Sequence, residues 1–277
     1  VATTHAKVEG VVKTVARYDD PKVASAGGIN SNAEDIARWM ITQLDSGQTI
    51  SSQRLFSASS TRELWKLTTP IYEDLPLEFA PGQLNVQGYG LGFFVRDYRG
   101  HQMIWHTGGL PGYLSMLALL PEQRLGVTVL TNQESEPAFR SIMYYILDHY
   151  LKAPQHDWIN HFKELEAREL LKAASATDAA AAARDSSSRP PRPLQIYCST
   201  YRDAWYGDVT ISLENNKLII RFKPTPDLVG DLEFWQYDTF IARWRNRELR
   251  ADAYVTFHLS PEGSIEEVKL KPVSPLT

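Results

Sequence analysis

The chain has 277 residues, 43% hydrophobic and 22% charged, with a formal net charge of −4 and a pI near 6.0, the bulk properties of a globular protein. The acidic balance argues against nucleic acid as a partner, since such binders present a basic face, and no apolar run approaches the ~18 residues of a membrane span. The single cysteine, Cys198, excludes an intrachain disulfide and a cysteine metal cluster.

Residues 1–24 are polar and β-branched, with Val8, Val11, Val12 and Val15 scattered through them, and predict irregular or short-strand structure. Val1 stands where a Met would start a chain and no signal peptide is visible, so the expectation is a processed or truncated product. Next, Ser31 or Asn32 can cap a helix whose first turn carries Glu34 and Asp35, favourable against the helix dipole. Ile36, Trp39, Met40 and Leu44 give that helix one apolar face, and Gly47 ends it. A second helix is expected from Ser59 or Ser60 to Pro70, followed by a Pro-rich irregular excursion over 71–87.

Tyr89 to Val95 reads as a strand, and Gly100 turns the chain into another that ends at His106. Further strands are expected at 114–120 and 125–132, joined by the turn Pro121-Glu122-Gln123, and together these runs predict an antiparallel meander. Pro137 opens a helix whose Phe139, Ile142, Met143, Ile146, Leu147 and Tyr150 are spaced to lie on the sheet. From about 156 the chain turns charged and then Ala-rich, and Ser186 to Pro193 reads as a linker, with a boundary near 190. Beyond it, alternating runs at 209–213, 217–222, 239–244, 253–259 and 265–270 predict a small all-β unit whose aromatics form its core.

The stretch Trp105-His106-Thr107-Gly108-Gly109-Leu110-Pro111-Gly112-Tyr113 organises the search for chemistry. An imidazole, a hydroxyl and two glycines at a strand end can hold a substrate beside the backbone, although a plain hairpin turn fits the spacing equally well. There is no G-x-S-x-G, no S-x-x-K, no Tyr-x-Asn, no H-E-x-x-H and no P-loop; Thr4 to Lys7 is the nearest approach to a hydroxyl–lysine pair and reads as chance. His156 and His161, five apart in a polar segment, read as solvated rather than as metal ligands, so neither a metal nor another cofactor is expected.

Ala26-Gly27-Gly28-Ile29, Asp35-Ile36-Ala37-Arg38-Trp39, Tyr89-Gly90-Leu91-Gly92, His106-Thr107-Gly108-Gly109 and Leu130-Thr131-Asn132, in this order, resemble the serine β-lactamase and penicillin-binding-protein-like hydrolases, in particular the class C-like esterases and D-amino-acid peptidases. The resemblance covers about residues 1–152, and Tyr197, Tyr201, Trp205 to Gly207, Trp235 and Asp238 to Phe240 resemble the lipocalin-like β domain often appended to that group. It implies an α+β fold: the C-terminal part of a β-lactamase/transpeptidase-like domain, an antiparallel sheet flanked by helices, over 1–152; a helix and linker over 153–193; and a small antiparallel β domain over 194–277.

The resemblance also implies roles. His106 would assist proton transfer or bind an acidic group, Thr107 would hydrogen-bond a substrate carboxylate or carbonyl, Gly108 would keep the strand edge open, and the Gly109 N–H would be half of an oxyanion hole, with Tyr113 beside the substrate. The S-x-x-K and Tyr-x-Asn motifs of the family are absent, so the chain is expected to need the missing N-terminal half of the same hydrolase domain as partner and to be inactive alone. The whole enzyme would act on an ester, amide or β-lactam bond in a small molecule or peptide, in a periplasmic or secreted setting. The alternative is a non-catalytic module of this fold that binds peptide or glycan.

Overall fold

The computed structural model describes residues 1–18, 23–71 and 85–276. Most of the 71–87 excursion therefore lies outside the described residues. The chain divides into two compact units, Val1–Glu166 and Ala167–Thr277.

The first unit is built on a six-stranded antiparallel meander: β3 (Thr69–Pro70), β4 (Gln87–Tyr89), β5 (Phe94–Tyr98), β6 (His101–Leu110), β7 (Tyr113–Leu120) and β8 (Leu125–Thr131), hydrogen-bonded in sequence order. A separate hairpin, β1 (His5–Val8) with β2 (Val11–Thr14), precedes it. There the Thr4 hydroxyl donates to the Val15 carbonyl at 2.6 Å, a structural commitment consistent with the chance reading of its spacing to Lys7.

Two expectations for this sheet need correction. The run from Tyr89 to Val95 is two strands, because Gly90 packs against the Leu64 carbonyl and Gly92 takes φ +85° to reverse the chain. The strand expected to end at His106 continues to Leu110, with Gly108 opposite Ser115 and Gly109 opposite Leu114. The turn is made instead at Gly112, with φ +80° and a Cβ position already occupied by Thr4.

Side-chain alternation sends neighbouring residues of the central strands to opposite layers. Ile104 and Leu119 join Val95 under α2 (Ala33–Leu44), where they meet Met40, Ile36 and Leu44. Met103, Met116, Ala118, Leu120, Val127 and Val129 face the other way, onto Phe139, Met143, Tyr144 and Leu147 of α4 (Glu136–Tyr150) and onto Trp158 and Phe162 at the start of α5 (Trp158–Ala182). Asn32 caps α2 as expected, its side chain accepting from the Asp35 N–H at 3.0 Å. A short α1 (Ala24–Gly27) precedes it. The next helix, α3, spans Ala58–Leu64 and is capped by Ser57, so it stops well before Pro70: Leu67 and Gly88 pack closely where β3 and β4 pair.

The second unit is a seven-stranded antiparallel meander: β9 (Ser199–Asp203), β10 (Gly207–Glu214), β11 (Lys217–Phe222), β12 (Val229–Gln236), β13 (Thr239–Trp244), β14 (Ala253–Leu259) and β15 (Ile265–Pro272). Its core is aromatic, with Tyr197, Phe240, Trp244 and Phe257 buried among Ile211, Leu218, Ile220 and Val255. β9 and β12 went unforeseen. The first is short and polar, and in the second Gly230 interrupts the apolar alternation; there a Cβ would lie 2.9 Å from the Trp244 ring, so the glycine makes room for the indole.

Candidate active site

β5 pairs with β6 only from Tyr98 opposite His101 to Phe94 opposite Trp105. β7 pairs with β6 from Ile104 to Leu110. From His106 onward β6 therefore has a strand on one side and, among the described residues, an unpaired edge on the other. In an antiparallel strand alternate residues turn their N–H and C=O away from a given neighbour, so this stretch offers main-chain donors and acceptors to an extended ligand. Gly108 and Gly109 are exposed. Without side chains, they leave the backbone reachable. At Gly108 a Cβ would lie 2.5 Å from Ser115 Oγ, so a larger residue would make the Ser115 hydroxyl move aside. The end of the edge is flanked by Gly27, whose Cβ position lies 3.4 Å from the Leu110 side chain, bringing the Ala26-Gly27-Gly28 segment beside it.

His106 is half-buried on the α2 side of the sheet, by alternation from Ile104. Its Nδ1 lies 2.6 Å from the Thr107 carbonyl oxygen and its Nε2 lies 3.2 Å from the Tyr89 hydroxyl. A carbonyl can only accept, so Nδ1 carries a proton and, in the neutral ring, Nε2 accepts from Tyr89. Phe94 supports the pair, with its ring 4.7 Å from Tyr89, 5.4 Å from His106 and stacked at 4.7 Å on Trp105. Tyr89 reaches His106 past Phe94, its partner across β4 and β5 and the first residue of β5. The ring contacts of Tyr89 and Phe94 were not legible in the spacing; the only signal was their position around Gly90-Leu91-Gly92.

Of the residues singled out from the sequence, His106, Thr107, Gly108 and Gly109 lie consecutively along the open edge, while Tyr113 does not join them. Tyr113 pairs with Leu110 across the Pro111-Gly112 turn and donates its hydroxyl proton to the Ala2 carbonyl. Asn132 is likewise structural: its amide donates to the Thr3 carbonyl at 2.8 Å, and its own carbonyl accepts from the His5 N–H at 3.1 Å. The turn is tied down further by Glu134, which accepts from the Gly112 N–H at 2.8 Å.

His156 and His161 are both half-buried and make ring contacts. His156 lies 4.5 Å from the Trp158 ring and 5.0 Å from His161, and its burial, with His161 adding to the effect, lowers its pKa. Among the described residues no three His, Cys, Asp or Glu side chains converge as metal ligands, and no helix is long and apolar enough to cross a membrane.

Residues 183–276 match a domain of unknown function, DUF3471. Two curated relatives are the unguisins hydrolases ungD' of Aspergillus campestris and ungD of Aspergillus violaceofuscus, each 26% identical, over 72% and 71% of this chain respectively. The chain covers 36% of each relative, about a third of their length. Among solved structures, SurE overlaps with a TM-score of 0.43 and 16% identity, over 98% of this chain and 55% of that one. The octameric penicillin-binding protein homologue from Pyrococcus abyssi overlaps with a TM-score of 0.45 and 14% identity, over 97% and 52%. Residues 1–151, more than half of the 277, match the Beta-lactamase family, and the chain belongs to that family.

Proposed function

We propose that this chain supplies the substrate-side wall of a serine-hydrolase site that cleaves an ester, amide or β-lactam bond through an acyl-enzyme. The observation that carries the reading is the edge of β6 from His106 to Leu110, with which no strand pairs among the described residues. An extended substrate would hydrogen-bond along it as an added strand, with Thr107 holding a carboxylate or carbonyl of the substrate. The Gly109 N–H would face the oxygen on which charge develops during attack, a position where one donor is worth about 10²–10³ in rate. The nucleophile and its base would come from sequence outside these 277 residues, which contain neither S-x-x-K nor Tyr-x-Asn.

A fluorophosphonate probe and a labelled penicillin test this. Neither is expected to label the 277-residue chain stoichiometrically, and at least one is expected to label the full gene product on a serine. Stoichiometric labelling of the chain alone would overturn the division of labour. Labelling of neither form would leave the open edge as a peptide- or glycan-binding surface and remove the hydrolase reading.

A further inference from the structure

We propose that a groove between α2 and α3 binds a small aromatic carboxamide that also carries a cationic group. The groove encloses about 560 Å³ within the first unit, and none of its lining residues belongs to the His106 to Leu110 run. That volume lies in the range of small-molecule sites. Trp39 and Gln43 stand one turn apart on α2 and so share a face, as do Ser60 and Leu64 on α3. The remaining wall is the reversal at Leu91 with Phe93, tied to α3 where the Leu91 N–H donates to the Leu64 carbonyl at 3.1 Å. Phe56 meets Trp39 edge to face, with ring centroids 6.1 Å apart. Trp39 is 40% exposed and Leu91 57%, so the apolar walls are open to a ligand.

Gln43 identifies the occupant. Its side chain is wholly buried, yet among the described residues neither its Oε1 nor its Nε2 has a hydrogen-bond partner. Buried amides are ordinarily paired, because desolvation without a replacement bond is costly. A side-chain amide offers an acceptor and donors side by side, so one group answers both only if it presents a donor and an acceptor together. A primary carboxamide does this. An ionised carboxylate only accepts: it would leave the Gln43 carbonyl unpaired and bring its own charge into an apolar groove. The rings of Trp39, Phe56 and Phe93 match a planar aromatic body, which packs edge to face or offset against them. Glu63 is the charged residue of the lining and is exposed, so the groove favours a cation and repels an anion. Ser59 and Ser60 already bond Ser57 Oγ, at 2.7 and 2.9 Å, which leaves recognition of the polar group to Gln43. No turnover is invoked, so the inference is independent of the hydrolase reading.

Isothermal titration of the full gene product with 4-(aminomethyl)benzamide tests the proposal. Binding is expected with a Kd of about 1 mM or tighter, the range open to a ligand of that size. The matching 4-(aminomethyl)benzoate keeps the ring and the cation and is expected to bind at least about 10-fold more weakly. Gln43→Met keeps the side-chain length and removes both polar atoms, and is expected to weaken the carboxamide about 10-fold. The same substitution should leave the Tm of the ligand-free protein unchanged or raised, because it takes an unpartnered polar group out of an apolar setting. Glu63→Gln is expected to cost the aminomethyl compound about 3-fold and to leave 4-methylbenzamide unaffected, the scale of an exposed ion pair. No binding up to about 10 mM, equal binding of the benzoate, or a Kd unmoved by Gln43→Met would overturn the proposal. A fall in Tm on Gln43→Met would also overturn it, by showing that residues outside these 277 already bond the amide. Equal losses of both benzamides on Glu63→Gln would remove the cationic part of the assignment. None of these readings involves acyl transfer, so their failure and that of the hydrolase reading are told apart.

Discussion

Tyr98 donates its hydroxyl proton to Asp148 Oδ1 at 2.5 Å, joining the end of β5 to α4 through a carboxylate that is almost wholly buried. Arg99 reaches both oxygens of the same carboxylate, at 2.6 and 2.8 Å, and the Trp158 indole N–H donates to Oδ2 at 2.8 Å. One side chain therefore ties together the β5–β6 turn, α4 and the first turn of α5, at the opposite end of β6 from the open edge. The carboxylate is fully partnered, which is the condition under which a buried charge is tolerated.

Replacing Asp148 with Asn leaves Arg99 without its counter-charge and is expected to destabilise the first unit by about 3–5 kcal/mol, the cost of breaking a buried pair. Tyr98→Phe removes one bond and is expected to cost about 1–2 kcal/mol. Urea unfolding followed by hydrogen exchange of β5 and β6 amides reads both, and equal effects of the two substitutions would contradict the assignment of Asp148 as the hub.

Alkaline stability has a definite sign. Burial first, and then the bond to Asp148, raises the Tyr98 pKa far above the ordinary tyrosine value of 10.0. The folded chain keeps a proton that the unfolded chain releases, so stability falls as pH rises above about 10. Tyr98→Phe should flatten that fall, and a slope unchanged between wild type and variant above pH 10 would remove Tyr98 as its source.

The second unit should lose stability at the acid end. Burial pushes the Asp252 carboxyl up, but bonds from Arg247 and Arg243 and from the Trp244 N–H outweigh it and hold the group below its usual range. A lowered folded pKa contributes stability that is present above the unfolded value near 3.8 and is lost as pH falls through the folded value. Asp252→Asn should lower stability at neutral pH and blunt the further loss below about pH 4. Denaturation midpoints taken from pH 7 downward decide this, and parallel curves for the two proteins would refute it.

Much was legible in the order and period of the residues. Asn32 with Glu34 and Asp35 marked the start of α2, Pro137 the start of α4, and the short alternating runs an antiparallel meander, because caps, proline and side-chain period act over a few residues. What escaped depends on partners far away in sequence. Gly108 and Gly109 looked like turn residues, yet they lie extended because β7 is present to pair with them, and Gly112, crowded by Thr4, turns the chain instead. Leu67 looked like the continuation of a helix until β4 came to lie against it.

The stretch from Trp105 to Tyr113 shows where local information stops. Its sequence by itself determined which groups are available: an imidazole, a hydroxyl, two glycines without side chains, and apolar runs on either side that make strands. Tertiary structure alone decided that β5 begins only at Phe94, that among the described residues β6 is consequently unpaired on that side beyond Trp105, that Tyr89 meets the imidazole while Tyr113 bonds Ala2, and that the Thr107 carbonyl selects the tautomer. The physical reason is range. Period and capping are read within a turn or two of chain, whereas an open strand edge and a hydrogen-bonded ring pair exist only after strands distant in sequence have taken their register.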